Sequence, residues 1–98
     1  MYKITYLQNA FDDLDEIYLY ISLESIKYAD KVIDDITNSI ERLSEFPYIG
    51  TLAKNNLNLE VDYRFIILKP YIIFYRIIGN EVVIYRILHG KRYYQELL

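Results

Sequence analysis

Gly79-Asn80 lies between two runs of apolar and aromatic residues, 71–78 and 81–89. Both residues of the pair tolerate positive φ, and a two-residue loop of that kind predicts a tight β-hairpin. The register follows from the loop: Ile78 stands opposite Glu81, and successive pairs run outward with alternate residues on opposite faces. In that register Ile72, Phe74 and Arg76 share a face with Glu81, Val83, Tyr85, Ile87 and His89. The other face carries Tyr71, Ile73, Tyr75 and Ile77 with Val82, Ile84, Arg86 and Leu88. The first set is the more polar and is assigned to the open side; the second is assigned to the side that helices cover. Arg86 is then half-buried and calls for an acid from a helix or for the strand's edge.

The rest of the chain supplies those helices. Residues 2–7 are aromatic and β-branched and read as a short strand. Asn9 is placed as the cap of a first helix, with Asp12 in its first turn. Phe11, Leu14, Ile17, Tyr18 and Ile21 form its apolar stripe. Ser25 caps a second helix, striped by Ala29, Val32, Ile33, Ile36, Ile40 and Leu43. Pro47 cannot continue it and biases Phe46 toward extended geometry. Residues 48–60, with Gly50, Asn55, Asn56 and Asn58, have loop composition. A strand follows over 60–68, and Lys69-Pro70 marks a turn. Gly90 breaks the last strand ahead of a basic, tyrosine-bearing tail, 91–98. The order is β-α-α-β-β-β. It predicts an α+β fold in which a helical hairpin packs on one face of an antiparallel sheet, as one domain over 1–98.

Composition narrows the chemistry. With no cysteine, disulfides, a cysteine zinc site and a thiol nucleophile are excluded. The one histidine, His89, cannot build a histidine metal cluster, so neither metal nor cofactor is expected. The first residues lack the basic start, long apolar stretch and small-residue site of a signal peptide. The apolar stretch 65–78 is interrupted by Lys69, Pro70 and Arg76 and is too short to span a bilayer. The expectation is a soluble, cytoplasmic protein without membrane contact. Its net charge of −3 argues against direct nucleic-acid binding. The halves differ, however: residues 1–49 hold four Lys/Arg against ten Asp/Glu, and residues 50–98 hold seven against four. Such asymmetry fits one face meeting something anionic, or equally a solvated acidic helix pair beside an ordinary sheet. The acids at 12, 13, 15 and 16 are adjacent rather than arranged around a loop, so they read as an acidic helix start and not a metal site.

The run Tyr63-Arg64-Phe65-Ile66-Ile67-Leu68-Lys69-Pro70-Tyr71-Ile72-Ile73-Phe74-Tyr75-Arg76 closely resembles the middle strands of the RelE/ParE toxin superfamily. Tyr85-Arg86-Ile87-Leu88-His89-Gly90-Lys91-Arg92 resembles its last strand, which often ends in His-Gly-x-Arg. Ala10, Asp13-Leu14, Ile17 and Tyr20-Ile21 match the first helix. Ala29, Ile36, Ile40, Leu43 and Phe46-Pro47-x-x-Gly50 match the second and its exit. The agreement is ordered and covers nearly the whole chain, with the ParE-like branch favoured. The resemblance implies the toxin of a type II toxin–antitoxin pair, wrapped and blocked by a flexible segment of a cognate antitoxin in a hetero-oligomer. Operator DNA would be reached only through that antitoxin. It also implies one of two targets: RelE-like members cut mRNA on the translating ribosome, and ParE-like members poison DNA gyrase. Fold alone does not choose between them.

RNA cleavage by 2′-OH attack needs a proton acceptor, cations for the charged phosphorane and an acid for the leaving oxygen. By resemblance, Arg64 and Arg92 are the candidate catalytic cations and His89 the candidate base. Ile66 and Ile72 stand where cleaving members tend to carry cations, and isoleucine offers neither charge nor proton. Arg76, Tyr85, Tyr93 and Tyr94 are candidate binding residues, through phosphate, an acidic antitoxin segment or stacking. Each has a plainer alternative. His89 can make a structural hydrogen bond at a strand end, the tail tyrosines can pack on their own domain, and Arg76, Arg92 and Lys54 can be solvated. Three functions remain open: a gyrase-binding toxin, a metal-independent mRNA endonuclease using Arg64, His89 and Arg92, and a decayed toxin that only binds its antitoxin.

Overall fold

A computed structural model describes residues 1–53 and 62–90. In chain order they form β1 (Lys3–Tyr6), α1 (Gln8–Ser22), α2 (Ile26–Glu41), β2 (Thr51–Ala53), β3 (Tyr63–Leu68), β4 (Tyr71–Ile78) and β5 (Glu81–His89). Two short 3-10 turns, Arg42–Ser44 and Pro47–Ile49, lead from α2 to β2. The strands make one sheet in the order β1-β5-β4-β3-β2. The α1–α2 hairpin carries the chain across the sheet to its far edge, and three antiparallel pairings bring it back until β5 lies beside β1. There the two strands run the same way, Tyr6 against Ile84, so the sheet is mixed rather than wholly antiparallel. The strand β2 lies inside the segment read as loop. Its three residues are too few to show a period-2 pattern, and pairing with β3 creates it.

The helix ends differ in how they are made. Ser25 caps α2 as expected, its hydroxyl accepting from the Tyr28 amide at 3.0 Å. The cap of α1 is Leu7, not Asn9, and it offers no side-chain bond. The helix starts early because the Leu7 amide donates to Ile84 O at 3.0 Å, so the end of β1 sets the start of α1. Asp12 consequently lies beyond the first turn, where it accepts from the Gln8 side chain. Along α2 the expected stripe holds: Ala29, Ile36 and Ile40 are buried, and Val32 and Ile33 pack beside them. On α1 the buried positions are Ala10, Asp13 and Leu14, while Phe11 turns out to stack on Tyr6.

The Gly79-Asn80 turn forms with Ile78 opposite Glu81, and Gly79 has φ +57°. Four pairs out, the register slips: Tyr75 faces Ile84, but Phe74 faces Arg86. Tyr85 is the extra residue of a β-bulge, which shifts the alternation of everything beyond it by one. Ile87 therefore joins Ile73, Tyr75, Val82 and Ile84 in the core under the helices. Leu88 packs with Ile72, Phe74 and Phe65 in a second, smaller cluster. These two positions are reversed relative to the uninterrupted hairpin register.

Candidate functional site

Two clamps fix the chain on the helix-covered side of the sheet. The first stands where β1 ends and β5 continues, with no strand on that side among the described residues. Asp13, buried on α1, accepts from the Arg86 guanidinium at 2.8 and 3.0 Å and from the Ile87 amide at 2.8 Å. One carboxylate thus replaces the missing strand partner and pairs the half-buried arginine. This is the helix acid that the hairpin reading called for.

The second clamp holds the Pro47–Gly50 turn. The Tyr75 hydroxyl donates to Pro47 O at 2.6 Å and accepts from the Gly50 amide at 2.9 Å. Arg64, opposite Tyr75 on β3, donates to Gly50 O at 2.9 Å and lies over the Tyr48 ring, 5.0 Å from its centroid. Burial pushes the Tyr75 phenol above its ordinary pKa, against the opposing pull of the Gly50 bond and of Arg64. Gly50 is required by this contact: a Cβ there would run into the Tyr75 ring and hydroxyl and lie 2.9 Å from Phe65 O.

The expected site residues that are described fall in three places. Arg64 serves the turn just described. Its strand partner Tyr75 is four residues along β4 from Tyr71, the partner of His89, a separation on the order of 13 Å. His89 meets the Tyr71 ring edge-on at 5.8 Å and lines a cleft of about 360 Å³ between α1 and the end of β5, shared with Glu16 and Tyr20. Arg76 and Tyr85 are brought together. The Arg76 guanidinium lies 3.4 Å from the Tyr85 hydroxyl and 5.8 Å from the Tyr63 ring centroid, and its buried Nε has no hydrogen-bond partner. Tyr63 and Tyr85 meet edge-on at 5.0 Å, completing an aromatic surround for the cation. Arg92, Tyr93, Tyr94 and Lys54 lie outside the described residues.

Comparison with known proteins decides the family. The sequence profile described as the ParE toxin of type II toxin-antitoxin systems, parDE, matches residues 4–94. The chain belongs to the ParE toxin family. It is 32% identical over 80 residues to the Toxin ParE3 of Caulobacter vibrioides, covering 81% of this chain and 77% of that one. Its fold matches the chromosomal ParDE TA system from P. aeruginosa with a TM-score of 0.73 and 27% identity, over 91% of this chain and 96% of the other. Two helices on a mostly antiparallel five-stranded sheet are therefore the ParE-like arrangement, and the chain is a type II toxin of that kind.

In this ParE-family chain the first clamp was the more visible in sequence, because Arg86 was already placed half-buried. The second was not: nothing local to Tyr75 marks it as the partner of a turn 25 residues upstream. The exposed tip of the helical hairpin was also missed. Leu19, Tyr20, Leu23, Ile26 and Tyr28 extend past the core stripes, and only the packed structure shows that nothing among the described residues covers them. No described helix is long and apolar enough to cross a membrane.

Proposed function

We propose that this toxin arrests growth by binding DNA gyrase, not by cutting mRNA, and that a cognate antitoxin neutralises it. The observation that carries the reading is the separation of the two described cleavage candidates, Arg64 and His89. Arg64 is spent on the carbonyls of the Pro47–Gly50 turn, and His89 stands at the far end of the sheet. Ile72, where cleaving relatives tend to carry a cation, is buried in the cluster with Phe74 and Leu88. Stabilising a phosphorane needs convergent cations around one phosphate, and the described residues offer no such convergence. A binding toxin needs only a surface, and membership of the ParE family supports that mode. Operator DNA would be bound by the antitoxin.

The test is a supercoiling assay with purified toxin and gyrase. Loss of supercoiling, or trapped cleaved DNA, is expected; normal supercoiling at excess toxin overturns the gyrase reading. Pulse labelling after expression of the toxin alone separates the alternatives. Thymidine uptake should stop first, whereas an early stop in amino-acid uptake would identify mRNA cleavage.

A further inference from the structure

We propose that Arg76, framed by Tyr63 and Tyr85 on the open face of the sheet, is a carboxylate-binding site, and that its ligand is one acidic side chain of the antitoxin segment that neutralises the toxin. The inference rests on the antitoxin reading above and adds the anchor and its chemistry. Tyr75 belongs to the core under the helices, so its neighbour Arg76 points to the opposite face, where it is half-buried. Its guanidinium stands 5.8 Å from the Tyr63 ring centroid, and Nη1 reaches the Tyr85 hydroxyl only at 3.4 Å. Tyr63 comes from β3 and Tyr85 from β5, and they meet edge-on at 5.0 Å, so three strands build the frame. Tyr85 is the residue that the bulge adds, and bulges beside functional sites re-aim a side chain.

What the frame lacks is an anion. Arg86 has Asp13, and Arg64 has the Gly50 carbonyl. Arg76 has neither kind of partner among the described residues. Asp62, next to Tyr63, and Glu81, on β5, do not pair with it, and Glu81 accepts from the Thr5 hydroxyl at 2.6 Å instead. The buried Nε has no hydrogen-bond partner. Nη2 has none either, but it is not buried and so meets solvent. A guanidinium taken half out of water without a counter-ion is unfavourable, and the ring faces return only part of the lost hydration. A carboxylate arriving from outside would take Nη1 and Nη2 together, the two-pronged geometry that arginine offers.

The frame suits a single carboxylate on an extended chain. A phosphate backbone is held by several cations along its track, whereas the frame supplies one, with Glu81 on the same face. The open end of the guanidinium lies beside two rings on the flat of a sheet. An extended segment carrying one acid reaches such a place more readily than a folded surface does. An antitoxin segment that wraps the toxin has that form.

Arg76→Gln tests this. Three readouts are compared: melting temperature of the toxin alone, affinity for the antitoxin encoded beside it, and growth arrest on expression alone. The charge has no counter-ion in the free toxin, so the melting temperature should stay or rise. Antitoxin affinity should fall about tenfold or more, and arrest should persist. A merely structural role would give the reverse, a lower melting temperature with the folded toxin's affinity unchanged. Arg76→Lys keeps the charge without the fork and should lose less affinity. In the antitoxin, replacing each Asp or Glu of the toxin-binding segment in turn by Asn or Gln should reveal one acid whose loss has no further effect in Arg76→Gln. Unchanged affinity in Arg76→Gln overturns the proposal, and so does arrest lost at unchanged affinity, which would give the site to the target. If Arg76→Gln does not fold, the same scan against Arg76→Lys decides, and losses that simply add for every acid overturn it. If the unaltered toxin does not bind the antitoxin, the antitoxin reading fails and the site falls with it; if it binds and Arg76→Gln binds equally, only the site falls.

Discussion

The two clamps solve the same problem, holding a segment against the sheet where regular pairing stops, with opposite chemistry. At the β5 end an ion pair does it: Asp13 is buried, but the Arg86 side chain keeps 40% of its surface in solvent. At the β3 end a neutral phenol does it, fully enclosed, with a carbonyl and an amide as partners and Arg64 binding the same turn from β3. A charged clamp tolerates, and needs, partial exposure, because taking both charges out of water costs more than their attraction returns. A phenol has no such limit and can be packed in the core, where each hydrogen bond is stronger. The difference teaches where each clamp is vulnerable: the first to loss of one charge, the second to any change of shape.

The largest effect should come from breaking the charged clamp. Asp13→Ala removes the carboxylate that Arg86 and the Ile87 amide share and should cost about 3 kcal/mol, the lower end for a broken buried pair because water can reach Arg86. Asp13→Asn keeps an acceptor for the amide and should cost roughly half of that. Urea titration of both variants checks the ratio; equal losses would mean that the ion pair, not the amide bond, carries the clamp.

The shape-sensitive clamp is tested next. Gly50→Ala drives a methyl group toward Tyr75 and the Phe65 carbonyl and should cost about 2 kcal/mol. Tyr75→Phe keeps the ring but leaves Pro47 O and the Gly50 amide unpaired, for about 1.5 kcal/mol. The same variant sharpens the electrostatic contrast. The folded state raises the Tyr75 pKa, so it favours the neutral phenol. That stabilisation is complete below the ordinary tyrosine value near 10.0 and is lost as pH rises through the raised one. Unfolding free energy should therefore fall less steeply above pH 10 in Tyr75→Phe than in the unaltered chain. Tyr6 and Tyr71, raised chiefly by burial, keep part of the slope in both.

The smallest effect should be Arg64→Met, about 0.5–1 kcal/mol for a partly exposed bond to a carbonyl. It carries the functional weight, since growth arrest should survive it. If Arg64→Met folds, as melting would show, but no longer arrests growth, Arg64 belongs to the toxic site and the turn is its secondary role.

What the chain determined by itself was local or periodic. Gly79-Asn80 specified its hairpin, Ser25 its cap, and the Ala29-to-Leu43 stripe the face of α2, because each depends on backbone conformation or a repeat within a few residues. The ordered likeness along the chain carried the family. Tertiary structure decided the rest. The parallel meeting of β1 with β5 needs the whole sheet to close around it, and it also moved the start of α1 from Asn9 to Leu7. The bulge at Tyr85 has no signature among its neighbours, yet it reversed Ile87 and Leu88 and turned His89 toward Tyr71 and α1. The scatter of Arg64, Arg76 and His89 has the same origin. Residues adjacent in a motif share a site only if strand register and face agree, and both are set by pairings between segments far apart in the chain.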